Sequence, residues 1–233
     1  MSLLCHHERS EGSRSPLFPL VALVALISAC GGSPTPATQA PVPVPAPAPR
    51  DSTASGLVAI GFGTLRQDDI SIVLEGDGFR ASALPLDEAV IRLLAPDSYR
   101  GLKSLLDSKR QQILQRASAR GIHDPRVWQV RFFGRTPDAR FVPTDITVTS
   151  GGREYRPIDV IAVSQGFSEQ RLQPRDTQTG LLVFEEGLDV SQPVVVSMGT
   201  VRNTDWDNAP GKILTQLDTE RASARARAAG RPH

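Results

Sequence analysis

Polar and apolar positions follow two regimes along this chain. Before residue 57 the only sustained apolar stretch is Phe18 to Ile27. From Leu57 onward, apolar residues recur with periods of two and of three to four, the signatures of strand and helix. Ile70-Ser71-Ile72-Val73-Leu74 alternates and reads as a strand. Gly76-Asp77-Gly78 is a hairpin signal, and Phe79 to Leu84 returns as its partner. Pro85 then breaks the pattern, and Asp87 is placed to cap a short helix, Glu88 to Leu94. Ala95-Pro96-Asp97 reads as a turn, with Asp97 as the N-cap of a long helix from Ser98 to Arg120. Tyr99, Leu102, Leu106, Ile113 and Ala117 share one face of that helix. Lys103, Lys109, Arg110, Gln111, Gln112 and Arg116 fill much of the rest, and Gly121 suits the position just past its end. The apolar face is expected to pack on a sheet; a partner helix is the other way to cover it.

Beyond this helix β signals dominate. Val127 to Phe133 reads as a strand, Phe141 to Ser150 as another, and Gly151-Gly152 as the turn to a return strand, Arg153 to Ser164. Pro157 demotes part of that return to an edge or a bend. Leu181 to Glu185 and Pro193 to Arg202 supply further strands. A last helix, about Pro210 to Ala229, is expected to dock through Ile213, Leu214 and Leu217 and to end in a polar tail. The fold expected is mainly β, of α+β class: a β-sandwich with a helical insertion at about 87–120 and a C-terminal helix. Its boundaries are 57–208 for the sandwich and 209–233 for the helix and basic tail.

The C-terminal half carries a recognisable pattern. Phe141-Val142-Pro143-Thr144-Asp145 is followed by GGREYRP at 151–157, and then by Leu172, Pro174, Thr177, Gly180, Leu182 and Phe184 at fixed spacing. Over roughly residues 127–200 this resembles the bacterial immunoglobulin-like domains of secreted lipoproteins. The resemblance implies an immunoglobulin-like sandwich. Such domains have no common catalytic residue, so it implies no site.

The apolar run at Phe18 to Ile27 spans about ten residues, half of the ~20 that a membrane-crossing helix needs. It fits the core of a signal peptide instead. Ile27-Ser28-Ala29-Cys30 resembles the bacterial lipobox: an aliphatic residue, two small residues, then cysteine. The resemblance implies a signal peptide over 1–29, cleavage between Ala29 and Cys30, and acylation of Cys30, with several chains giving durable anchorage. Gly31, a residue other than aspartate after the cysteine, implies export to the outer membrane, facing the periplasm or the cell surface. Residues 30–56 then form the acylated cysteine and a Pro/Ala-rich linker. Seven prolines fall between Ser33 and Arg50, a composition that buries no core. It favours extended polyproline spacing at ~3.1 Å per residue.

Composition narrows the chemistry. Lys+Arg number 26 against 25 Asp+Glu, a balance without the basic excess of a nucleic-acid binder. Both cysteines, Cys5 and Cys30, precede the domain, so it has no disulfide or thiol chemistry. Of four histidines only His123 and His233 follow the signal peptide. That leaves no Cys/His zinc set, and His123 alone to serve a nucleophilic triad. It lies in Gly121-Ile122-His123-Asp124-Pro125, where a turn is the simpler reading. The adjacent carboxylate pairs Asp68-Asp69, Asp87-Glu88 and Glu185-Glu186 are poor acid–base partners where strand neighbours face apart. Asp205, Asp207 and Asn208 alternate like calcium-loop ligands but lack the central glycine and the final glutamate. Gly61-Phe62-Gly63-Thr64 lacks the third glycine and the lysine of a phosphate loop and reads as a flexible entry to the first strand. No catalytic, metal or cofactor site emerges. Arg221, Arg225, Arg227 and Arg231 form a tail without acidic residues, suited to a helix C-terminus or to contact with an anionic surface.

The function expected is a non-enzymatic, lipid-anchored envelope protein. It attaches to the membrane through its N-terminal lipid and binds a protein or cell-wall partner. A carboxylate-based hydrolase of envelope polymers and a ligand-carrying domain are the alternatives. Mass spectrometry of the mature N-terminus should find acyl mass on Cys30, and Cys30→Ser should abolish it. A mature wild-type N-terminus without acyl chains contradicts the lipobox assignment.

Overall fold

A computed structural model describes residues 56–230. The expected signal peptide, Ala29 and Cys30, the expected linker up to residue 55, and Arg231 lie outside the described residues. Strands β1 (Ile72–Glu75) and β2 (Phe79–Pro85) pair across the expected glycine turn. Asp87 then caps α1 (Glu88–Ile91), its carboxylate accepting from the Ala89 amide at 2.9 Å. The long helix α2 (Pro96–Ser118) starts earlier than its sequence suggests. Ala95, not Asp97, occupies the N-cap. Pro96 takes the first helical position, where its fixed φ is pre-set and its missing N–H costs nothing. Asp97 sits in the first turn, paired with Arg100.

Next come β3 (Arg126–Gly134), β4 (Ala139–Arg140), β5 (Ile146–Ser150), β6 (Arg153–Tyr155) and β7 (Asp159–Ala162). The strand expected from Phe141 instead begins at Ile146, because Pro143 opens a 3₁₀ turn over Pro143–Asp145. Gly151 and Gly152 both have positive φ, 57° and 80°, as a two-residue hairpin turn with both central residues left-handed requires. The return strand expected over Arg153 to Ser164 is two strands. Pro157 separates β6 from β7, and the chain there passes from one sheet to the other. The remaining elements are β8 (Arg171–Leu172), β9 (Thr177–Phe184), β10 (Val194–Met198), β11 (Val201–Asn203) and α3 (Ile213–Ala229).

The strands form a five-stranded sheet, β1-β2-β3-β9-β7, a four-stranded sheet, β11-β10-β5-β6, and a ribbon of β4 with β8. All their pairings are antiparallel. The fold is thus mixed α+β and sandwich-like, with one continuous core. Inward positions alternate as the pleat demands: Trp128, Val130 and Phe132 on β3, and Ile146 and Val148 on β5, are buried. In β9, Leu181, Leu182, Val183 and Phe184 are all fully buried, which is why this strand reads as an apolar run rather than an alternation. One end of the core holds four phenylalanines. Phe132 stacks on Phe141 at 4.1 Å, flanked by Phe79 and Phe167. Phe167 lies so close over Gly180 that a Cβ there would meet its ring at 2.3 Å.

The segment Gly61 to Thr64, expected as a flexible lead-in, is pinned. Gly63 lies against the Leu93 backbone, where a Cβ would sit 2.3 Å from a carbonyl carbon. Leu65 and Leu94 form a parallel bridge. Glu220 of α3, 8% exposed, accepts from the Thr64 amide at 2.8 Å, from its hydroxyl at 3.0 Å and from Arg227. The docked face of α3 therefore runs beyond Ile213, Leu214 and Leu217 to Glu220 and Ala224. Among the described residues no helix is long and apolar enough to cross a membrane.

Most ion pairs here are exposed, and each adds at most about 1 kcal/mol. The Glu220 carboxylate is buried, while its partners Thr64 and Arg227 are exposed, and removing it takes away three charge-assisted hydrogen bonds at once. Glu220→Ala should lower unfolding free energy by about 1–3 kcal/mol in urea titration. Glu154→Ala, at an exposed pair, should change it by under about 0.5 kcal/mol. Equal effects from the two variants contradict this account of the lead-in.

Candidate functional site

The apolar face of helix α2 is fully buried at its two ends and only partly buried in its middle, at Leu105 and Leu106. Tyr99 and Leu102 anchor one end, Ile113 and Ala117 the other. At the first end the Tyr99 hydroxyl donates to Glu88 at 2.9 Å. At the other, Arg116 reaches Asp159 of β7 at 2.7 Å. Between these anchors Leu106 is only half-buried and Leu114 is 43% exposed. The result is a groove of about 420 Å³ under the helix, closed on its far side by the end of β2, the turn after α2 and the start of β3. Its floor is apolar, with Ile113, Val127 and Trp128. Its rim carries both signs of charge, with Asp87, Lys103, Asp107, Arg110, His123, Asp124 and Arg126.

Arg126 is the hub of that rim. One guanidinium nitrogen lies 3.5 Å from Asp87 and another 3.1 Å from Asp124. Its Nε is buried without a hydrogen-bond partner. Lys103 bonds Asp107 at 2.7 Å, and Glu88 accepts from Arg92 at 2.7 Å as well as from Tyr99. Burial, reinforced by the hydrogen bond that the Glu88 carboxylate accepts from it, pushes the Tyr99 phenol above its ordinary range. The side chains of Arg110 and His123 make no ion pair or hydrogen bond among the described residues. Each carboxylate lining the groove faces a cation or a donor, an arrangement suited to charge complementarity rather than to proton transfer between carboxyls.

The other candidates disperse. Asp68 pairs with Arg131 at 3.0 Å and Asp69 with Arg66 at 3.2 Å. Glu185 pairs with Arg153 at 2.6 Å, and Glu186 is exposed. His123 is exposed on the rim, and its neighbour Asp124 forms an ion pair with Arg126 instead. Asp205 accepts from Lys212 at 2.6 Å and from Asn203 at 2.9 Å, and Asp207 turns back to the Asn208 amide at 2.6 Å. Among the described residues no three of His, Cys, Asp or Glu are grouped to hold a metal ion. In the basic tail, Arg221 pairs with Asp218. Arg225 donates to the Gly56 carbonyl at 2.6 Å, and Arg227 to the Phe62 carbonyl at 2.7 Å.

No local pattern in the sequence announces the groove. Leu106, His123, Arg126, Trp128 and Val190 meet only through tertiary packing. The sequence feature nearest to it is Asp124-Pro125-Arg126, a charged pair around a proline at the mouth of a strand. Comparison with known protein families, with curated proteins and with solved structures finds no match.

Lys212 first, then Asn203, holds the Asp205 carboxyl below its ordinary range by hydrogen bonding. That stabilisation is fully present above the ordinary carboxylate pKa, about 3.9. It is lost as pH falls through the lowered folded value. Asp205→Asn should therefore lose less stability than the wild type in urea titrations between about pH 5 and pH 2. Parallel pH profiles contradict this role.

Proposed function

We propose that the chain is a lipid-anchored, non-enzymatic envelope protein, and that its domain, an immunoglobulin-like sandwich, binds a segment of a protein partner in the groove under α2. The observation that carries this reading is an apolar floor ringed by charges of both signs. A polypeptide segment can match such a rim, and buried apolar contacts with a polar surround are the usual anatomy of a protein interface. A cell-wall glycan is a poorer occupant, because the groove's one aromatic ring, Trp128, is 1% exposed and offers no stacking platform. Two antiparallel sheets, with a chain that crosses between them at Pro157, support the immunoglobulin-like assignment. The lipobox and the proline-rich segment support anchorage at a distance from the membrane. The chain is assigned to the outer membrane.

A second reading has its own support. Asp87, Asp107 and Asp124, from separate segments, and His123 surround one groove, as a carboxylate hydrolase of envelope polymers requires. The cation facing each of these carboxylates favours binding over turnover.

A photo-crosslinking residue at Leu114 of the anchored chain should yield one partner adduct in intact cells. The same residue at Ser108, on the exposed side of α2, should not. Leu106→Glu, with its circular dichroism unchanged, should abolish the Leu114 adduct. Equal adducts from both positions contradict groove binding. Release of envelope-polymer fragments by purified protein, lost in Asp87→Asn/Asp124→Asn, replaces it with the hydrolase.

A further inference from the structure

Arg140 and Arg171 stand directly opposite each other in the β4–β8 ribbon. Their neighbours Ala139 and Leu172, the other opposed pair, are 6% and 0% exposed. Alternation along each strand therefore sends both arginines to the same outward side. The ribbon is firmly seated, since Phe141, next in the chain, is 1% exposed and stacked on Phe132. Directly opposed residues hold their Cβ atoms about 4.5–5.5 Å apart, and like charges in that position repel.

Among the described residues this pair is only weakly compensated. Arg171 reaches only Asp138, at 4.0 Å with both side chains at least half exposed. The Arg140 side chain makes no ion pair or hydrogen bond among the described residues. Glu169 borders the same pocket, of about 490 Å³, without an ion pair to either arginine. Val142, 43% exposed, forms an apolar lip beside them. Two planar donor forks on one side of an open pocket match an acceptor with oxygens to offer both. A carboxylate satisfies one fork, whereas a tetrahedral phosphate has oxygens for two.

We propose that Arg140 and Arg171 form a binding site for a phosphate-type oxyanion, supplied either as free phosphate or as the headgroup of an anionic phospholipid. The site is separate from the α2 groove and does not rest on its assignment. Glu169, at its border, weakens the affinity for an anion.

The full-length Cys30→Ser chain in a maltoside detergent, titrated with inorganic phosphate and followed by amide NMR, tests this. Shifts should concentrate at residues 139–142 and 169–172 and shrink with added salt. Arg140→Gln and Arg171→Gln should each weaken binding about tenfold, the loss of one charge-assisted contact. Glu169→Gln should tighten it, a gain that damage to the fold does not produce. Tighter binding of short-chain phosphatidylglycerol than of phosphate identifies a lipid headgroup, and the reverse identifies free phosphate; either supports the site. Shifts spread over the basic surface, or affinities unchanged by these three substitutions, overturn it.

Discussion

The contact between Trp128 and Trp206, 6.4 Å between ring centres, is the joint on which the domain is assembled. Trp128 belongs to the middle strand of the five-stranded sheet and also meets Phe184 edge-on. Trp206 follows β11, is fully buried, and donates its indole N–H to the Val190 carbonyl at 2.9 Å. Its own carbonyl accepts from Val194 at 3.0 Å, extending the four-stranded sheet. Large aromatic surfaces dominate core energetics, and a buried indole must also find a partner for its N–H. This one tryptophan satisfies both conditions and so fixes the residues on either side of it. The Asp205 carbonyl then receives the Ile213 amide and the Asp207 carbonyl the Leu214 amide, which sets the start of α3. Helix α3 in turn holds Thr64 through Glu220. One buried contact thus positions both the first and the last segments of the domain.

Sheet edges impose the second constraint, because unpaired strand edges invite association. The two sheets meet at both margins. β1 runs beside β11, where Asn203 donates to the Val73 carbonyl at 2.9 Å. On the other side β6 passes directly into β7 across Pro157, a residue unable to donate to a ladder. On β7, Asp159 caps the neighbouring Val160 amide at 2.7 Å and pairs with Arg116 of α2. That pair is also one of the two anchors that suspend α2 over its groove, so edge protection and groove formation share a residue.

Local chemistry was legible in the sequence. The Gly76–Gly78 hairpin, the Asp87 cap, the glycine turn at 151–152 and the buried face of α2 each depend on neighbours within one element. Features that require distant partners were not. The role of Pro96 rather than Asp97 turns on which backbone the helix inherits from the preceding loop. The pinning of Gly61 to Thr64 depends on a carboxylate more than 150 positions away. Gly180 looks like a weak point in a strand until Phe167 is seen to lie across it. The groove is invisible for the same reason. Its hub, Arg126, is an ordinary strand-entry arginine until Asp87 and Asp124 flank it, and the gap lies where the face of α2 is only partly buried, between its fully buried ends.

The floor of this groove is preformed, since Trp128 is locked by the core, and its helical wall is only partly buried at Leu105 and Leu106. A partner segment seated there, as proposed, would gain its binding energy by covering Leu106 and Leu114 and by completing the charge pattern around Arg126. The most direct measurement is hydrogen–deuterium exchange of the chain in native membranes, compared with the same chain extracted and purified. The account predicts slower exchange in membranes across the middle of α2 and over residues 122–128, with the four-stranded sheet unchanged. Identical exchange at the groove in both states would contradict it.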